Sequence, residues 1–182
     1  MMELFEQILN DCDKKLVQRD CRRLIKKCSF KSAVDMATLT ELVLLMYLFR
    51  DYDRAEQLVR VTQDVVFTGN WSIWDEILYA RWVAARMERE LGHENRAVQL
   101  VGSLMEYEDR ARYPNRMSGL ALYDEHIAGA KERGEKASMI GWMLVKYKVL
   151  IRTVENPTFP VSRAGLNDEI GALEEKMRIL IK

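Results

Sequence analysis

Apolar residues recur along this chain at steps of three and four, the spacing that places them on one face of an α-helix. Phe5, Ile8, Cys12 and Leu16 open a first stripe, and Val17, Cys21, Leu24 and Cys28 continue it. Leu39, Leu42, Met46 and Phe49 form the next, inside a run from Leu42 to Phe49 that is apolar all round. Such a run predicts a helix with packing neighbours on several sides. Ala55, Leu58, Thr62 and Val65 follow a polar joint at 50–53. The fourth stripe is the longest, with Ile73, Ile77, Ala80, Ala84, Met87 and Leu91, and a second stripe of Trp74, Leu78, Trp82 and Ala85 lies beside it. Two adjacent stripes predict a central helix. Ser72, with Asp75 three residues on, reads as its N-cap, Trp71 before it as a hydrophobic staple, and Gly92 as its C′ residue. Later stripes are Ala97, Leu100, Val101 and Leu104; Leu120, Tyr123, Ile127 and Ala130; and Ala137, Ile140, Leu144, Tyr147, Ile151 and Val154. Leu166, Ile170, Leu173, Met177 and Leu180 close the series with heptad spacing. No window alternates with period two, so the pattern predicts an all-α fold of about eight helices with no sheet.

Three joints between these helices look alike: Asp51-Tyr52-Asp53-Arg54-Ala55, Gly92-His93-Glu94-Asn95-Arg96-Ala97 and Gly134-Glu135-Lys136-Ala137. Each is a short polar turn, a basic residue, an alanine and then a helix, and the alanines stand 42 and 40 residues apart. An alanine near the start of a second helix lets that helix approach its partner closely. A pair of amphipathic helices cannot bury its apolar face alone, so neighbouring pairs are expected to stack. The stretch Leu42 to Val61, with Asp51-Tyr52 in the turn and Ala55 at the small packing position, resembles a tetratricopeptide-type (TPR-like) helical repeat. Gly92 and Ala97 resemble the turn glycine and second-helix alanine of the next unit, and the likeness extends over roughly 37–155. The resemblance implies stacked antiparallel helix hairpins, a right-handed α-solenoid, acting as a protein-binding scaffold. The expected organisation is one domain over 1–182: a basic helical region at 1–36, three hairpin units at 37–155, and a helix at 166–182 capping the stack. The heptad seam of that last helix would alternatively pair with a second copy, making the chain a monomer or a homodimer.

Composition narrows the function classes. The chain carries 28 basic and 28 acidic residues, so no global field draws it to nucleic acid or membrane. Its longest apolar run, Leu42 to Phe49, is far short of the roughly 18 residues at which a membrane span begins. Cys12, Cys21 and Cys28 are odd in number, lack zinc-site spacing and fall on apolar stripes, where cysteine behaves as a small hydrophobe. With acids rather than bases at the N-terminus, this predicts a cytoplasmic protein, here read as bacterial.

No residue is assigned a catalytic, metal-binding or cofactor-binding role, and no cofactor is expected. His93 and His126 have no second ligand at metal spacing, and no phosphate-binding loop or nucleophile elbow occurs. Two surfaces are candidates for contact. The joint holding Tyr107, Arg110, Arg112, Tyr113 and Arg116 combines the residue types that protein interfaces favour. A basic region, in which Lys15, Arg19, Arg22 and Lys26 share one helix face with Arg23 beside them, is suited to phosphate or an acidic partner. The leading expectation is therefore a non-enzymatic interaction module for a protein or peptide. A nucleic-acid-associated regulator using the basic helix is second. A helical-bundle enzyme, which would need a polar pocket around Glu76, Glu88 or His126, is third.

Overall fold

The computed structural model describes residues 19, 32–63, 65–67, 69–102, 120–155 and 164–181. Seven α-helices, and no strand, occur among the described residues: α1 Ala33–Leu48, α2 Tyr52–Arg60, α3 Trp71–Glu90, α4 Glu94–Gly102, α5 Leu120–Glu132, α6 Lys136–Glu155 and α7 Ala164–Leu180. None of them is long and apolar enough to cross a membrane. The chain divides into two compact units, Met1–Tyr107 and Glu108–Lys182. The division falls between the second and third hairpins.

In the first unit, α1 starts at Ser32, whose hydroxyl oxygen accepts from the Asp35 amide at 3.2 Å. Leu42 to Leu48 are buried without interruption, because α1 packs against both α2 and, most extensively, α3. Thr40, 2% exposed, places a hydroxyl in this apolar contact, and its single proton has two carbonyl acceptors in reach, Met36 at 3.0 Å and Glu76 at 2.9 Å. α3 begins at Trp71, two residues earlier than a cap at Ser72 implies. Asn70 is the cap, and its side-chain oxygen accepts from the amides of Ser72 and Ile73. Trp71 packs against Phe67 with ring centroids 4.6 Å apart and the planes tilted by 52°. The double stripe of α3 is buried on both sides, as its neighbours α1, α2 and α4 require. The fully buried Tyr47 donates to Glu90 at 2.7 Å and Tyr52 donates to the other oxygen of the same carboxylate at 3.0 Å, tying α1 and α2 to α3.

The three hairpin joints share one backbone geometry. Each helix ends in a residue of positive φ: Arg50 (58°), Gly92 (78°) and Gly134 (71°), spaced forty-two residues apart in both steps. In each joint the amide of that residue donates to the carbonyl three positions back, and the next amide donates five positions back. The second bonds run from Asp51 to Met46 at 2.8 Å, His93 to Glu88 at 2.8 Å and Glu135 to Ala130 at 2.9 Å. This is the Schellman closure, which satisfies carbonyls that a helix end leaves without partners. Ala55 and Ala97 sit five positions beyond the turn residue and are buried at 1% and 0% exposure. The third joint departs from the sequence reading. Ala137 is exposed, and the position equivalent to Ala55 and Ala97 holds Met139, which is buried. The buried alanine of that hairpin is instead Ala130, on its first helix.

In the second unit, α6 packs between α5 and α7. The heptad seam of α7 is buried at its centre, while Leu166 and Leu180 at its two ends are half-buried. Ile170, Leu173 and Met177 are buried, and the Tyr147 hydroxyl of α6 donates to Glu174 at 3.1 Å. Lys146 holds all three helices together, with Nζ 2.8 Å from both oxygens of Asp124 and 2.6 Å from Glu169. Burial pulls the lysine pKa down, but the hydrogen bonds to Asp124 and Glu169 outweigh it and leave the pKa raised.

Candidate functional site

A cleft of about 300 Å³ opens between α2, α3 and α4. Its floor is apolar, formed by Val59, Ala84, Met87 and Leu100, and its walls carry arginines, glutamates and glutamines. The helical pitch puts Arg81 and Glu88 on one face of α3, between its two apolar stripes and beside Ala84 of the first, so both charges of that face meet the cleft.

Arg81 is only 8% exposed. The chain leaving α2 at 61–63 turns away from helical geometry and leaves carbonyls to be satisfied. The Arg81 guanidinium takes them, donating to the Thr62 carbonyl at 2.5 Å and to the Gln63 carbonyl at 3.4 Å. Its Nε also reaches the Thr62 hydroxyl at 3.4 Å, a hydroxyl that itself donates to the Val59 carbonyl at 2.7 Å. Burial lowers the guanidinium pKa, yet an arginine starts high enough to stay charged.

Glu88 is 3% exposed and both its oxygens are engaged. Oε2 lies 2.8 Å from His93 Nδ1, and Oε1 lies 3.4 Å from Arg96 Nη2. The Schellman turn fixes His93 here, since its amide already donates to the Glu88 carbonyl. Arg96 reaches on to Glu56 of α2, with Nη2 2.8 Å from Oε1, and so links α2, α3 and α4 through one guanidinium. The same Glu56 oxygen accepts from Arg60 at 2.9 Å, one turn along α2. Hydrogen bonds from Arg60 and Arg96 hold the Glu56 carboxyl below its ordinary pKa. The bond to Glu56, with the nearby charge of Glu88, raises that of Arg96.

The lining thus combines apolar residues with two anchored carboxylates, three arginines and the amide side chains of Gln63 and Gln99. Residues 2–158 match one protein family along that span. The chain belongs to DUF6707, a family of unknown function. The family match takes in all of the cleft and the α5–α6 hairpin and ends before α7. No curated protein and no solved structure matches the chain.

The sequence-derived candidates fall mostly elsewhere. Tyr107, Arg110, Arg112, Tyr113 and Arg116 lie outside the described residues, as do Lys15, Arg22, Arg23, Lys26 and the three cysteines. Arg19 is described, and is helical and exposed. Of the three residues that the enzyme reading offered as alternatives for a polar pocket, Glu88 lines the cleft and Glu76 and His126 do not. Glu76 is buried, with its carbonyl bonded to Thr40 of α1, and His126 lies in the other unit, exposed and stacked 4.1 Å from the Trp142 ring. The cleft residues Glu56, Arg60, Arg81 and Gln99 carried no flag in the sequence. Arg96 did carry one, as the basic residue preceding the alanine of the second joint.

Proposed function

We propose that this chain is a non-enzymatic protein-binding module, built as a TPR-like stack of helix hairpins, with the α2–α3–α4 cleft as its contact site. The observation that carries the reading is the Arg96 bridge between Glu56 and Glu88. It braces three helices around an apolar floor and leaves the cleft preorganised. Preorganised walls lower the ordering cost of binding. A cleft near 300 Å³ lies at the small end of ligand sites, about the size that takes an anchoring side chain from a larger partner. The repeated Schellman joints and the packing of α1 on α3 support the hairpin stack.

The test is site-specific photocrosslinking in cells. A photoreactive residue at Gln99, which lines the cleft, should give a discrete protein adduct. The same residue at Thr38 of α1 should not, and Met87→Glu, which places a charge on the floor, should abolish the Gln99 adduct. Equal labelling from both positions, or no protein adduct from Gln99, would remove the cleft from the reading.

A further inference from the structure

In the second unit α7 lies on α6 in the manner of a bound amphipathic helix. Its buried Ile170, Leu173, Glu174 and Met177 fall at positions i, i+3, i+4 and i+7, the anchor spacing of a helix laid into a groove. Two of its acids fix the register on α6. Glu169 Oε1 lies 2.6 Å from Lys146 Nζ, and Glu174 accepts from the Tyr147 hydroxyl at 3.1 Å. Lys146 and Tyr147 are both buried, so a helix without acids at these two places would forfeit both bonds in a setting where polar contacts are costly to lose. α7 buries two charged side chains, Glu174 and Arg178, beside its apolar anchors. Surfaces that exchange partners are more polar in this way than permanent cores. α6 also packs more extensively on α5 than on α7, so α7 is the more lightly held of its two neighbours.

Eight residues, 156–163, join the two helices. A tether this short holds α7 beside its own groove at an effective concentration in the millimolar range. The helix that the groove is shown to fit is α7 itself, and every copy of the chain carries one. Replacing one copy's α7 by another's remakes each contact that it breaks, which is why exchange of an identical element is a low-cost route to a dimer. We propose that the α6 face carrying Lys146 and Tyr147 is a helix-binding groove, filled by α7 of the same chain when copies are dilute and by α7 of a second copy when they are concentrated. The pattern it reads is Glu169 and Ile170, Leu173 and Glu174, then Met177. Since the centre of the heptad seam is already buried, a second copy is met by exchange and not by pairing side by side. This inference is independent of the α2–α3–α4 cleft.

Two measurements on the full chain test it. Light scattering on chain concentrations up to about 1 mM should show a dimer that grows with concentration in wild type. The dimer should be absent in Gly171→Pro, because proline inside a helix breaks it and leaves no α7 to exchange. Circular dichroism melts establish that the variant stays folded, and Leu173→Asp, which removes one anchor and leaves the helix, is the second variant. A fluorescent peptide with the sequence of residues 164–181, followed by anisotropy, should bind Gly171→Pro at least about tenfold more tightly than wild type, since the tethered competitor is gone. The same peptide carrying Leu173→Asp and Met177→Asp should not bind. A wild-type chain that stays monomeric throughout, or a dimer that persists in both variants, overturns the second copy as occupant. Equal affinity of the peptide for wild type and Gly171→Pro, equal binding of the Asp-bearing peptide, or no binding to either chain overturns the groove itself.

Discussion

The shared geometry of the three joints makes a quantitative prediction in which the sign differs between sites. At Gly92 and Gly134 an added Cβ meets nothing within 4 Å, so alanine there changes the backbone energy and little else. A left-handed φ costs an L-residue about 1–2 kcal/mol. The smaller entropy of the unfolded alanine chain returns about 0.4–1 kcal/mol of this. Gly92→Ala and Gly134→Ala should therefore each destabilise by about 0.5–1 kcal/mol. Arg50 already bears that cost at a φ of 58°, so Arg50→Gly should stabilise by a similar or smaller amount. The smaller value is favoured because Arg50 is engaged in further interactions. Urea unfolding reads these differences as shifts in midpoint at constant m. A higher midpoint for either glycine variant, or a fall of about 1 kcal/mol or more in Arg50→Gly, would refute the equivalence of the three turns.

Other variants probe the charged contacts. Arg81→Met should destabilise by about 2–3 kcal/mol, because it leaves the Thr62 and Gln63 carbonyls without their charged donor in a buried setting; a change within a few tenths would show that the link from α3 to the 61–63 turn carries no weight. For Glu56 the folded pKa lies below its ordinary value of 4.5, so its contribution is complete above that value and disappears as pH falls through the folded pKa. The stability difference between wild type and Glu56→Gln should accordingly shrink toward zero in acid, starting from the few tenths of a kcal/mol typical of an exposed pair. Lys146 titrates in the opposite sense. Its pKa is raised above 10.5, so its contribution is complete below that value and is lost as pH rises through the folded pKa. Lys146→Met should cost about 1 kcal/mol or less at neutral pH, because Asp124 and Glu169 can rehydrate, and the difference should vanish in strong alkali.

Much of the fold was legible in the spacing of apolar residues, and the departures have local physical causes. The double stripe that begins at Ile73 is α3, though its last member, Leu91, is the exposed C-cap, and the all-round apolar run is buried from Leu42 to Leu48 of α1, with Phe49 a half-buried C-cap. The cap of α3 was misplaced because Ser72 and Asp75 fit a capping-box pattern, whereas Asn70, in extended geometry, serves two amides at once. The stripe Ala55, Leu58, Thr62 and Val65 suggested a helix running past 62, yet α2 stops at Arg60. What holds the turn beyond it is Arg81, nineteen positions downstream of Thr62, and no local pattern carries such a contact. The pattern at the third joint lies two residues out of phase with the backbone, because Lys136-Ala137 imitates Arg96-Ala97 while the turn residue Gly134 sets the true register at Met139. The cleft was the least legible feature. Its central pair joins Arg96 to Glu56 across forty positions, and neither residue is unusual alone.

Both units use one cation to tie three helices, and the difference between the two ties separates a binding site from a brace. Lys146 has a side chain 7% exposed, and its acid partners are 58% and 35% exposed. The charge is inside and its counter-ions are outside, so an incoming anion would have to displace solvated carboxylates to reach a buried ammonium. In the first unit the order is reversed. Glu88 is the buried member at 4%, and Arg96, at 55%, is the exposed one. Arg96 can keep its contact with Glu88 and present its outer donors to a ligand without exposing a buried charge. The two arrangements predict different responses to the same perturbation. Removing Arg96 should weaken partner capture and leave the buried Glu88 carboxylate short of a counter-ion, whereas removing Lys146 should lower stability and leave capture intact. Loss of the Gln99 adduct in a folded Lys146→Met variant would contradict that separation.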